Sequence, residues 1–354
     1  MSPKAADQDM LHHVKRLRLS ALLIAGCASH ITAASFDCSR AATAQENAIC
    51  ADPSLSLLDE QMTAAYKALL AQLSPSAAAE VRQDQHEWLR WLPQVCPNHP
   101  EQPARKITTC LLSEYSEQTA SWKDQLKRSG GITFFPRIKV IALADKENSI
   151  PGLMRPDFWT ARLSWPEIDR PAPQQAAWNA AVRAQVAGWK QLHSAEATVS
   201  WELQGANQQF ISLGLVNSRY NYGAAHPYEE RRSFNWWVAL QRPLKAEDVF
   251  RPGSGWETLL ADRCYAQLMS ADRARDLYDG TTVRKAVPDA VKDIGNWSLD
   301  ARGLTVELPE YSVAPRAAGF LSVLIPWNQL RSRLTPAFDP AALPEPASTT
   351  KASP

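Results

Sequence analysis

The chain has 354 residues, 45% of them hydrophobic, with 38 Lys and Arg against 37 Asp and Glu for a formal charge of +1. That is apolar material for one large core or two ordinary ones, which excludes global disorder, and the charge balance lacks the basic excess of a nucleic-acid binder. Six Cys are too few for a disulfide-dense miniprotein, and 13 Trp need an explanation.

The first predicted element is an export leader. Residues 12–18 are basic and residues 19–26 form a short apolar run. A bilayer-spanning helix needs about 20 apolar residues, so the pattern reads as a signal rather than an anchor. Two cleavage readings stand. Ile24-Ala25-Gly26-Cys27 has the form of a lipobox, with a 1–26 signal and an acylated Cys27. Thr32-Ala33-Ala34 before Ser35 has the small residues of an ordinary signal-peptidase site, with a 1–34 signal. Both predict a periplasmic or secreted protein, the first as an outer-membrane lipoprotein. The remaining Cys then sit in an oxidising compartment.

Residues 35–128 read as all-helical. Thr43 and Glu46 form a capping box ahead of a short helix from Ala44. Asp52-Pro53 and Ser74-Pro75 each place a cap before a first-turn proline, opening two longer helices. Leu55, Leu58, Met62, Ala65, Tyr66 and Leu69 share one stripe, and Val81, Trp88 and Leu92 share another. Pro93 and Pro97 are expected to end the third helix. A fourth runs from about Ile107 to Lys127. Cys38, Cys50, Cys96 and Cys110 fall in this unit without a C-x-x-C pair, so two disulfides are expected rather than a zinc ribbon. Four cysteines allow three pairings, and all three stay open.

Residues 127–131 read as a linker, and residues 129–158 as linker and first strands. Strands are predicted at 138–143, 158–165, 199–203, 209–222, 231–240, 303–308 and 320–326, with helices at 171–192 and 256–269. This is an α+β class, mostly antiparallel sheet with packing helices, over residues 159–335. Residues 336–354 read as a disordered tail. The fold class is therefore a disulfide-stapled all-α bundle followed by an α+β domain.

The helical unit resembles the LprI-type lysozyme-inhibitor family in Cys38, Glu46, Cys50, Leu58, Asp59, Gln85, Trp88, Leu89, Cys110, Leu111 and Tyr115. It departs at Leu92 and Gln118, where the family usually has Arg. Residues 210–250 and 296–334 resemble the C-terminal domain of RsiV-like anti-sigma factors. The marks are the loop Gly223-Ala224-Ala225-His226 and the later Tyr311-Ser312-Val313-Ala314-Pro315. Both resemblances imply lysozyme as the partner. The expected function is non-covalent lysozyme binding and inhibition; the alternative is a peptidoglycan-binding or envelope-stress sensory module.

No enzyme motif supports catalysis. His86-Glu87-Trp88-Leu89-Arg90 starts like a zincin helix but lacks the second His, and no G-x-S-x-G or P-loop occurs. No metal or cofactor is expected. Candidate binding residues are His226, Tyr228, Arg231, Arg232 and Trp237, grouped at a loop and the strand after it. In a strand, Trp236 and Trp237 must face opposite ways. Cys264 reads as a buried small hydrophobe. Residues 35–128 carry twelve acidic and nine basic residues, a mild acidity that favours this unit as the contact with basic lysozymes.

Overall fold

The computed structural model describes residues 34–97, 107–123, 125–144, 158–188, 196–221, 223–270 and 274–345. Residues 1–33, which include Cys27 and all but the last residue of the expected 1–34 leader, and the tail beyond 345 lie outside the described residues.

Four helices open the chain: α1 (Ala44–Ala51), α2 (Pro53–Leu70), α3 (Pro75–Val95) and α4 (Ile107–Trp122). Their starts follow the local chemistry. Glu46 N–H donates to Thr43 Oγ1 at 3.1 Å, while Thr43 N–H donates back to Glu46 Oε2 at 2.9 Å. Asp52 accepts from the N–H groups of Ser54 and Leu55 at 2.8 and 3.1 Å. Pro93 does not end α3. The helix runs to Val95, and Cys96 N–H closes it on Leu92 O at 2.9 Å. Of the three pairings, the structure has Cys38–Cys50 and Cys96–Cys110, with Cα separations of 5.8 and 5.6 Å.

The sheet domain follows as β1 (Lys127–Ser129), β2 (Ile132–Ala144), β3 (Phe158–Ile168), α5 (Ala176–Ala187), β4 (Glu196–Ala206), β5 (Phe210–Tyr220), β6 (Tyr228–Trp237) and β7 (Arg242–Pro243). These seven strands pair in chain order, antiparallel except for β3 and β4, which α5 joins in parallel. Residues 127–131, expected as a linker, are a hairpin instead. Gly130 and Gly131 both have positive φ, 55° and 77°, and a Cβ on Gly130 would meet Ala206 O at 2.4 Å. A tight turn therefore stands where a flexible joint was expected.

The last layer holds α6 (Ala246–Val249), α7 (Trp256–Leu268), α8 (Gly280–Lys292), β8 (Trp297–Asp300), β9 (Gly303–Leu308), β10 (Leu321–Pro326) and α9 (Trp327–Leu330). Strands β8 to β10 form a second, three-stranded antiparallel sheet. The chain past Thr335 is not wholly a disordered tail: Phe338 and Leu343 are buried in the core of this layer, and Asn207 Nδ2 donates to Ala342 O at 2.8 Å. Two apolar anchors suffice to hold an Ala- and Pro-rich segment.

Three cores result. α5 covers one face of the large sheet through Trp178, Val182 and Val186. α7 and α8 pack on the small sheet. The third core joins the helical unit to β2, whose Phe135 and Ile138 are buried with Trp88, Leu111 and Trp122. Ten tryptophans among the described residues are buried, which accounts for the high count as core anchors.

Candidate functional site

The helical unit carries an open groove of about 620 Å³. One wall is the α2 face of Asp59, Met62, Thr63, Tyr66 and Lys67; the other is the α3 face of Arg82, Gln85, His86, Leu89, Leu92 and Pro93. Gln45 and Glu46 of α1 bound one end, where Gln45 Nε2 also donates to Cys96 O at 3.1 Å. Both disulfides brace this end, tying the Cys38 turn to α1 and the end of α3 to α4.

The floor is built from the residues that carry the family resemblance. Trp88 is fully buried and meets Tyr115 edge-on, ring centroids 5.1 Å apart. Gln85 Oε1 accepts from Gln118 Nε2 at 2.8 Å and from Trp122 Nε1 at 2.9 Å, so one amide locks α3 to α4. Asp59, only 3% exposed, accepts the Ser35 N–H at 2.6 Å. Burial, with the charges of Asp59 and Glu46, pushes the Tyr115 phenol well above its ordinary range. Tyr115 therefore stays neutral. Leu89 is the apolar side chain presented outward, 46% exposed. The arrangement offers apolar contact edged by the cations Lys67 and Arg82. It holds no paired nucleophile and base.

The two departures from the family pattern have visible consequences. Leu92 lines the groove. Gln118 is buried and accepts from Arg162 Nη1 of β3 at 2.8 Å, while Arg162 also pairs with Glu114 at 2.8 Å and Glu117 at 3.2 Å. Arg137 of β2 likewise takes Asp84 and Glu80 of α3, both at 2.7 Å. Four acidic residues of the helical unit thus face arginines of the sheet. Two arginines face these four carboxylates, so the pairing offsets only part of the excess of twelve acidic over nine basic residues. Part of the acidity that favoured steering toward a basic partner is therefore used in docking the unit on its own sheet.

The residues singled out in the second domain separate into three settings. His226 is exposed, and its Nε2 lies 3.0 Å from the Tyr311 hydroxyl, so the two loop motifs of the resemblance meet. Tyr228, Arg231 and Arg232 line a small cleft of about 110 Å³ with Glu307. Both arginines already have partners there. Arg231 stacks on Phe320 with its guanidinium carbon 3.8 Å from the ring centroid. Arg232 forks onto Asp293 at 2.5 and 2.9 Å. Burial pushes the Glu307 carboxyl up, against the pull of Arg231. Trp237 lies apart from this cleft: Trp236 enters the core beneath α5, and Trp237 packs partly buried against Phe338. The segment read as disordered is what covers it.

Among the described residues no cluster of His, Cys, Asp or Glu could hold a metal. No helix among them is long and apolar enough to cross a membrane. The sequence reading missed Asp59 as a buried acceptor and Asp84 as a buried charge. Asp84 left a signal: a carboxylate on the stripe of Val81 and Trp88 demands a cationic partner.

Residues 38–128 match the family described as "Lysozyme inhibitor LprI". Residues 247–328 match "Protein of unknown function (DUF3298)". The chain therefore carries an LprI lysozyme-inhibitor domain, containing most of the groove residues, followed by a DUF3298 domain. The second match is narrower than the stretch resembling RsiV-like proteins, and its description names no activity. A crystal structure of a DUF3298 family member from Bacteroides fragilis NCTC 9343 is 15% identical, with a TM-score of 0.42, covering 59% of this chain and 96% of that one. Another from Pseudomonas aeruginosa PAO1 is 14% identical, with a TM-score of 0.38, covering 58% and 95%. No curated protein matches the chain.

Proposed function

We propose that the chain is exported to the envelope and that its helical unit binds lysozyme through the groove between α2 and α3, inhibiting it without covalent chemistry. The observation that carries this reading is the coincidence of the LprI match with a groove lined by Glu46, Asp59, Gln85, Leu89 and Tyr115. Lysozyme acts with two carboxylates flanking the glycosidic bond in an open cleft. A protein seated over that cleft blocks substrate by occupancy alone. The basic run at 12–18 followed by the apolar run at 19–26, read as an export signal, supports export. Lipid attachment at Cys27 is the variant of this reading in which the inhibitor is tethered.

Calorimetric titration of the mature chain with a panel of lysozymes tests it. Binding is expected, and Leu89→Arg is expected to weaken it by at least tenfold while leaving stability within about 0.5 kcal/mol, as for other surface changes. Equal binding by the variant would remove the groove from the account.

A second reading has its own observation. Tyr228 and Tyr311 are the exposed aromatic rings among the described residues, and His226 stacks on Tyr311. Such a surface suits a sugar ring, so this domain would bind peptidoglycan. Retention on purified cell wall, lost in Tyr311→Ala, would favour it over the lysozyme reading.

A further inference from the structure

The Ser35 N–H sits 2.6 Å from Oδ2 of Asp59, a carboxylate 3% exposed. A neutral amide donor is a poor exchange for the hydration a buried carboxylate gives up. The donor at Ser35 is also the atom that one of the two cleavage readings would turn into a chain terminus. Thr32 and Ala34 occupy the positions a signal peptidase reads, directly before Ser35.

We infer that Ser35 is the mature N-terminus and that its α-ammonium pairs with Asp59, fixing residues 35–38 as part of the groove wall. Water hydrolyses the Ala34–Ser35 amide on an envelope peptidase specific for small residues. The carbonyl carbon of Ala34 takes the hydroxyl and leaves with the leader as a carboxylate. The Ser35 nitrogen takes the proton and, with an ordinary pKa near 7.7–8.0, is protonated again at neutral pH. A neutral amide donor thus becomes a cation at hydrogen-bond distance from a buried anion, and charge-assisted bonds are about twice as strong as neutral ones. Ala34 is buried, so its departure leaves room for the ammonium. Ser35 and Phe36 both line the groove, and Cys38 is held by its disulfide to α1, so the ion pair and the disulfide pin the two ends of a four-residue segment. Leader removal is therefore a step in building the site. The inference rests on the export part of the proposed function and is independent of what the groove binds.

The test has two arms. The full gene is expressed with its own leader, and the intact mass of the envelope protein is measured. A chain beginning at a free Ser35 is expected. An acylated Cys27 or any other terminus overturns the inference and leaves export standing, whereas an uncleaved chain overturns both. Separately, the full mature chain beginning at Ser35 is compared with the same chain carrying Gly-Ser ahead of Ser35, each with and without Asp59→Asn. The free terminus is expected to melt about 2–4 °C higher, and the gap to close in the Asn background. Equal melting of the two unsubstituted chains overturns the pairing, and that comparison stands even if the Asn variants fail to fold.

Discussion

Asp84 of α3 holds Arg137 of β2 in a two-pronged buried pair: Arg137 Nε donates to Oδ2 at 2.7 Å and Nη2 donates to Oδ1 at 2.9 Å. The same carboxylate accepts the Ile138 N–H at 3.0 Å, and Arg137 Nη1 reaches Glu167 at 3.1 Å. Glu167 in turn binds Arg183 of α5, so one chain of charges runs from the helical unit through the sheet to its far face. The inhibitor-type unit is built into the sheet.

Removing one partner should show this directly. Asp84→Ala leaves a buried guanidinium with two of its three anions, Glu80 and Glu167, and is expected to cost about 3–5 kcal/mol. Urea unfolding should also remain one transition for the helical unit and the large sheet. Two separated transitions in the wild type, followed by tryptophan fluorescence and circular dichroism, would contradict the shared core.

The disulfides should matter in proportion to the loops they close. Replacing Cys38 and Cys50 together by Ser is expected to lower stability by about 3 kcal/mol in the chain-entropy model. Because the bridge braces the end of the groove, partner affinity should fall as well. Unchanged stability of the double variant under non-reducing conditions would show that the bridge adds nothing.

Acid should act through the capping carboxylates. The Ala42 and Thr43 N–H groups hold Glu46 below its ordinary value. A group depressed on folding stabilises above its unfolded pKa, and that stability is lost as pH falls through the folded pKa. The stability difference between the wild type and Glu46→Gln should therefore be present at pH 7 and vanish well below pH ~4. A difference that grows on acidification would carry the wrong sign.

Cys264 should be inert. It is fully buried in the core of α7, and burial pushes its thiol up to about 12. Mass spectrometry after alkylation is expected to find it unmodified in the native chain and modified in urea. Native labelling at the rate of a free thiol would contradict its place in that core.

Local signals made much of this fold legible. Thr43 with Glu46, Asp52 with Pro53 and Ser74 with Pro75 each announced a helix start, and all three occur. The alternation of Gly303–Leu308 gave a strand with the same bounds. Long-range facts were not legible. The pairing of Cys38 with Cys50 and of Cys96 with Cys110 depends on which helix ends lie together. α8 escaped because Pro288 interrupts its pattern, though Asp279 caps it. Trp237 looked available because its cover, Phe338, lies a hundred residues away in a segment of low complexity. Acidic excess looked like steering because the arginines that offset part of it, Arg137 and Arg162, sit on strands of another unit.

The central claim is that the groove of the helical unit engages lysozyme. Its most direct test is the rate at which lysozyme lyses bacterial cells in the presence of the purified mature chain, alongside its Leu89→Arg and Tyr228→Ala variants. The account predicts that the wild type and Tyr228→Ala slow lysis to the same extent at near-equimolar ratio, and that Leu89→Arg needs at least a tenfold excess. Lysis that proceeds unchanged at every molar excess of the wild type, across the lysozyme panel, would contradict it.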